Sequence, residues 1–129
     1  MFSVYDPLGV KLLTRLRLQF SHLNEHKFKH GFTDTIDPIC ACRTEIETTE
    51  HFFLRCHFYS TQRLELFEKL KKIDSNIFDL NEKDQVAILL YGSQKINDSS
   101  KSSNQEILKI VMNYLKATGR FDRPLVSNQ

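Results

Sequence analysis

Apolar residues recur at helical spacing in several separate stretches of this chain, and the residues between those stretches are ones that start and stop helices. Val10, Leu13, Leu16 and Phe20 lie three or four apart, with Lys11 and Arg15 on other faces, which predicts an amphipathic helix. Asp6-Pro7 marks its start, because a carboxylate can accept a first-turn N–H and proline at the first helical position gives up no bond. A second short helix is predicted from a cap at Ser21, through Leu23 and Phe28, to about His30, with Gly31 as its left-handed stop. Asp37-Pro38 then opens a turn.

The longest predicted helix covers residues 49–72. Thr48 or Thr49 caps it, Glu50 suits the positive end of its dipole, and Phe52, Phe53, Cys56, Tyr59, Arg63, Leu66, Phe67 and Leu70 recur along it. Lys71 and Lys72 close it before the turn-forming Asp74-Ser75-Asn76. Asn81 caps a helix over 81–91 that carries Val86, Ile88, Leu89 and Leu90 and stops at Gly92. Residues 97–104 are polar and lack a period, which predicts a flexible loop. A last helix over 105–118 presents Ile107, Ile110, Val111, Tyr114 and Leu115, and the residues after Arg123-Pro124 are expected to fray. The fold class is therefore mainly α: a single domain over 1–129 of about four to five helices, with a metal-stapled turn, or a short β-hairpin, ahead of the central helix.

Composition narrows what such a domain does. At 129 residues, 40% hydrophobic and 26% charged, the chain has the size of one small domain. No window approaches the ~20 apolar residues of a membrane span, and Met1 to Val10 lacks the basic-then-apolar order of a secretory signal, so an intracellular protein is expected, in nucleus or cytoplasm. Four glycines leave no phosphate-cradling loop. The net charge of +2 is unevenly spread. In residues 6–31 Lys11, Arg15, Arg17, Lys27 and Lys29 outnumber Asp6 and Glu25, whereas residues 31–56 carry Asp34, Asp37, Glu45, Glu47 and Glu50 against Arg43 and Arg55.

All the cysteines fall in that acidic stretch, at Cys40-x-Cys42-x8-His51-x4-Cys56. An odd count without a signal sequence argues against a disulfide framework. Three thiolates and one imidazole complete a tetrahedral Zn²⁺ shell and leave no position for a reactive water, so the zinc expected over residues 38–57 is structural. It would pin the turn after Pro38 to the helix that begins near His51. Buried free thiols beside a packed histidine are the alternative. A nucleophile and base pair from Cys56 and His57 is disfavoured, since adjacent helical positions point about 100° apart.

The order Asp6-Pro7-Leu8-Gly9, Leu12-Leu13-Thr14-Arg15-Leu16-Arg17-Leu18 and Ser21-His22-Leu23-Asn24-Glu25-His26-Lys27-Phe28 resembles the region that follows the polymerase domain in non-LTR (LINE-type) retrotransposon reverse transcriptases. Pro38-Ile39-Cys40-Ala41-Cys42 with Glu47-x-x-Glu50-His51-Phe52-Phe53-Leu54-Arg55-Cys56 is similar to the zinc-binding C-C-H-C segment of those proteins, and Arg63 follows at the usual distance. Ile107-Leu108 and Tyr114-Leu115-Lys116-Ala117-Thr118-Gly119-Arg120-Phe121 resemble the usual end of such a reading frame. Two features depart from the family: Arg43 stands where a glycine often follows the second cysteine, and no Tyr-x-Asp-Asp motif is present to hold catalytic metal ions.

What the resemblance implies is a zinc-binding module without polymerase activity, detached from the polymerase domain of a full-length element. It would contact RNA or DNA through Lys11, Arg15, Arg17, Lys27 and Lys29, with neither a small-molecule substrate nor a membrane as partner. His22, His26 and His30, four residues apart, and Phe32, Phe58 and Tyr59 are further candidates, weighed against ordinary packing roles. The competing expectation is a structural or interaction fragment, such as a truncated copy of an element, with no nucleic-acid affinity of its own.

Overall fold

The computed structural model describes residues 6–32, 35, 37–92 and 101–122. Five α-helices are found among them: α1 (Pro7–Arg17), α2 (Asn24–Lys29), α3 (Ser60–Ile73), α4 (Glu82–Tyr91) and α5 (Lys101–Ala117). Short 3₁₀ turns at His57–Tyr59 and Ser75–Asp79 lead into and out of α3. Extended pairing among the described residues is a single antiparallel bridge, Ile39 with Ile46. The mainly α expectation is met, and no helix of the described residues is long and apolar enough to cross a membrane.

Helix α1 starts as its sequence dictates. Asp6 Oδ1 accepts the Gly9 N–H at 2.9 Å, and Lys116 Nζ donates to Asp6 Oδ2 at 2.6 Å. The lysine, with help from the Gly9 N–H, holds the Asp6 carboxyl below its ordinary range. One cap thereby joins the start of α1 to the end of α5. Gly9 sets how closely the two helices approach, because a Cβ there would lie 2.8 Å from Met112 Cβ. Leu12, Leu13 and Leu16 complete the buried face. Phe20 lies beyond the helix end and is more than a third exposed.

Helix α5 packs against α1, α3 and α4. Its Ile107, Val111, Met112 and Leu115 meet Leu66 and Leu70 of α3 and Leu89 of α4 in one core. Phe52 is the centre of an aromatic cluster in that core, with the rings of Phe53, Tyr59, Tyr114 and Phe121 all between 5.2 and 5.4 Å from its own. His51 immediately precedes it, so whatever fixes His51 also fixes the core.

Three boundaries differ from the expectation. The helix anticipated over 49–72 is interrupted: His51–Arg55 forms a π-helical turn, Cys56 is extended (φ −62°, ψ 123°), and α3 begins at Ser60. Periodicity could not register this break, because buried residues continue on both sides of it. The second helix begins at Asn24, not after Ser21, since the Ser21 hydroxyl accepts the Leu23 N–H and pairs with His26 instead. Of the loop anticipated over 97–104, residues 97–100 lie outside the described residues and 101–104 form the first turn of α5. That turn carries no apolar residue, so a hydrophobic period gave no sign of it. Asn81 caps α4 through the Asp84 N–H at 2.8 Å, and Gly92 (φ +87°) ends it, as expected.

Candidate metal centre

The first pair of cysteines is placed by a tight hairpin. Asp37 Oδ1 accepts the Ile39 N–H, Cys40 N–H donates to Glu45 O at 2.9 Å, and Glu47 N–H donates to Pro38 O at 2.8 Å. Inside these bonds Arg43 N–H reaches Cys40 O at 2.8 Å, so Cys40 and Cys42 project from one turn. Closing it places Arg43 at φ +68°, a left-handed conformation that costs a residue with a Cβ on the order of 1 kcal/mol. Arg43→Gly is therefore expected to raise stability by about 0.5 to 1 kcal/mol, measured as a higher denaturant midpoint at unchanged metal content. A lower midpoint would show that the arginine side chain compensates its own strain.

The second pair, His51 and Cys56, comes from the π-turn. In a regular α-helix residues five apart point about 140° away from each other, which would prevent them from sharing an ion. Here Cys56 N–H donates to His51 O at 2.8 Å, the wider i to i+5 closure of a π-helix, which brings the two side chains onto one side. Thr48 Oγ1 caps the turn by accepting the His51 N–H at 3.0 Å.

The result is a cluster in which the ligand atoms of Cys40, Cys42, His51 and Cys56 all lie within 4.8 Å of one another. Cys40 Sγ and Cys56 Sγ are 3.7 Å apart and Cys42 Sγ is 3.3 Å from His51 Nε2. A tetrahedral ion with ~2.3 Å bonds to sulfur and ~2.05 Å bonds to nitrogen has sulfur–sulfur edges of about 3.8 Å and sulfur–nitrogen edges of about 3.6 Å. The donors thus stand near coordinating positions, and this group can hold a metal ion. A disulfide is far shorter, ~2.05 Å, and all three cysteines are free.

Electrostatics distinguish the three sulfurs. Burial pushes the Cys40 thiol up to about 12 and raises Cys56 as well. Burial also acts on Cys42, but hydrogen bonds from Thr44, whose Oγ1 lies 3.0 Å from the sulfur, outweigh it and bring the thiol down to about 6. In each case the backbone N–H two residues on, from Cys42, Thr44 and Phe58 respectively, favours the thiolate. Thiolates are the form a metal binds.

Surrounding groups hold this arrangement in place. Arg63, buried in the first turn of α3, donates through Nε to Phe53 O at 2.9 Å and through Nη2 to Cys56 O at 2.5 Å and Phe52 O at 3.4 Å. Tyr114 Oη donates to the same Phe52 carbonyl at 2.9 Å. These are carbonyls that the π-turn and the bend at Cys56 remove from a regular helical ladder. Behind the hairpin, Arg120 forms a two-pronged pair with the buried Glu47, both bonds 2.8 Å, and also reaches His22 O. Glu47 Oε1 accepts the Asn24 N–H that starts α2. Beside the centre, Glu45 Oε2 is 3.2 Å from His51 Nδ1, and Arg55 bonds both Glu45 and Glu82.

The expected nucleic-acid residues have different environments. Lys11 is exposed and Arg15 half-buried on α1. Arg17 is engaged, donating from Nε to Leu90 O at 2.5 Å with its guanidinium 5.1 Å from the Tyr91 ring, and so helps to dock α1 on α4. Lys29 bonds Gln19 Oε1 at the surface, and Lys27 is half-buried. The three histidines do not share a helical face: His22 precedes α2 and packs on Phe121, His30 lies past its end against Phe20, and His26 is buried between Ser21 and Thr49. Burial, with Lys29 and His30 nearby, lowers His26 to about 4, so it is neutral at pH 7. Phe32 is buried, Tyr59 packs on Phe52, and Phe58 is half exposed.

Spacing pointed to the four side chains that cluster here but not to Glu45, nor to the pairing of Glu47 with Arg120. The carbonyl partners of Arg63 were not legible either, because the helix expected over 49–72 places it mid-helix, whereas in the structure it lies in the first turn of α3, where a cation opposes the helix dipole. Comparison with protein-family models, curated proteins and solved structures found no match to this chain.

Proposed function

We propose that the chain is a structural zinc module in which one ion, held by Cys40, Cys42, His51 and Cys56, staples the 39–46 hairpin to the helical core. The convergence of four donors from two separate backbone devices, a hairpin and a π-turn, carries this reading. Three sulfurs and one nitrogen suit tetrahedral Zn²⁺ better than the harder cations, which take oxygen. Such a shell is closed, so the ion's contribution is to folding and not to a reaction.

The use of the module follows from the resemblance: a nucleic-acid-contacting piece of a LINE-type reverse transcriptase, without the polymerase. Lys11 and Arg15, one turn apart on α1, support contact with phosphates. Single-stranded RNA is expected to bind at low salt, and removing both cations (Lys11→Ala with Arg15→Ala) is expected to flatten the plot of log affinity against log salt by about 1.4. Absence of RNA or DNA binding at 20 mM salt would overturn this use and leave the interaction-fragment reading. That second reading is favoured by the commitment of Arg17 to α4 and by the exposure of Leu18 and Leu64.

A further inference from the structure

We infer that Glu45 is the outer-sphere partner of the metal centre, fixing the His51 ring so that Nε2 faces the ion. This rests on the zinc reading and adds a residue to it. His51 is almost wholly buried, and its Nδ1 lies in hydrogen-bond alignment with no protein atom of the described residues. A buried imidazole N–H without an acceptor is costly, about 1 to 3 kcal/mol. Glu45 Oε2 lies 3.2 Å from that nitrogen, and a small turn of the half-exposed Glu45 side chain brings the carboxylate into line. The opposite ring nitrogen, Nε2, is the one 3.3 Å from Cys42 Sγ. The two nitrogens therefore have separate tasks, Nδ1 as donor to the carboxylate and Nε2 as ligand, the division that metal-bound histidines commonly show.

Glu45 is itself held. Arg55 Nη2 bonds Glu45 Oε1 at 2.8 Å, and Arg55 Nη1 bonds Glu82, the first residue of α4. The carboxylate thus has one oxygen toward the histidine and one toward a guanidinium that is tied to a neighbouring helix. Its place in the chain is also set, because its backbone carbonyl accepts the Cys40 N–H. One residue closes the hairpin with its main chain and orients a ligand from the opposite segment with its side chain.

The test is zinc affinity by competition with a chromophoric chelator, together with ¹⁵N chemical shifts of the His51 ring in the zinc-loaded full chain. Glu45→Ala is expected to weaken zinc binding 10- to 100-fold, and Glu45→Gln, which keeps an acceptor oxygen, to recover most of that loss. Glu82→Gln, which leaves the His51 contact intact, is expected to stay within about threefold of the wild type. In the wild type the ring should carry its proton on Nδ1 and the metal on Nε2. Glu45→Ala binding zinc as tightly as the wild type, or His51 coordinating through Nδ1, would overturn the assignment. A wild-type chain that binds no zinc would instead bring down the reading beneath it.

Discussion

Chelating the metal from the folded protein is expected to unfold residues 38–60 and to weaken the helical core with them. Structural zinc in small peptides supplies roughly 10 to 16 kcal/mol of apparent binding energy, whereas a domain of this size has a net stability of ~5 to 15 kcal/mol. The hairpin's own main-chain pairing is one β-bridge and the turn bond from Arg43 N–H to Cys40 O. Without an ion, Cys40 and Cys56 would be buried thiols and His51 a buried imidazole, the last directly preceding Phe52 of the aromatic cluster. Amide hydrogen exchange should show protection lost first from the hairpin and the π-turn, then from the start of α3, with α1 and α5 the last to open. Cys42→Ser and His51→Ala should each reproduce the effect, lowering metal stoichiometry and thermal midpoint together. A chelated protein with an unchanged midpoint would mean that the bundle carries its stability without the staple.

The second large effect is expected at Arg63. Its guanidinium serves the carbonyls of Phe52, Phe53 and Cys56, and Arg63→Met removes those donors while keeping much of the apolar stem. Each buried carbonyl left unpaired costs about 1 to 3 kcal/mol. Tyr114 remains for Phe52 and the Tyr59 N–H for Cys56, so the Phe53 carbonyl loses most and a total on the order of 2 to 3 kcal/mol is expected, about 8 to 11 °C in the thermal midpoint. Arg63→Lys should recover part of this, since an ammonium can serve one or two of the carbonyls but lacks the planar fork. Tyr114→Phe should cost about 1 kcal/mol, because the Phe52 carbonyl keeps the long Arg63 bond. The ranking of the three variants is the test. Arg63→Met within 1 kcal/mol of the wild type would show that the π-turn holds its shape without the arginine.

The two effects are connected through geometry. His51 and Cys56 can share an ion because the chain leaves the α-helical ladder between them, and Arg63 with Tyr114 compensates the carbonyls released when it does. An ion held there and the arginine would therefore stabilise the same local departure from opposite sides, the ion from the hairpin face and the guanidinium from the start of α3. Losing either should loosen the other, so Arg63→Met is also expected to reduce zinc affinity, although of the four clustered residues its guanidinium meets only the main-chain carbonyl of Cys56 and no donor atom.

Much of this was legible in the residues themselves. Asp6-Pro7, Thr48, Asn81, Gly31 and Gly92 act in the structure as their side chains and backbone preferences suggest, and the four clustered side chains stood out because every cysteine of the chain lies within one segment. What periodicity missed was a break inside an apolar run: Phe52 and Phe53 are buried before the bend and Leu66 and Leu70 after it, so the hydrophobic pattern passes across Cys56 unaltered. The i to i+5 spacing of His51 and Cys56 was the one sequence feature incompatible with a regular helix. Glu45 and Arg120 were not legible for a different reason. Their partners, His51 and Glu47, are brought to them by tertiary contacts, and in Arg120's case across 73 residues of chain.

The most direct measurement of the central claim is X-ray absorption at the zinc edge on the purified full chain. The expected spectrum fits one ion per chain with three sulfurs at ~2.3 Å and one imidazole nitrogen at ~2.0 to 2.1 Å. A shell dominated by oxygen and nitrogen, or protein that retains no zinc when purified without chelator, would contradict it.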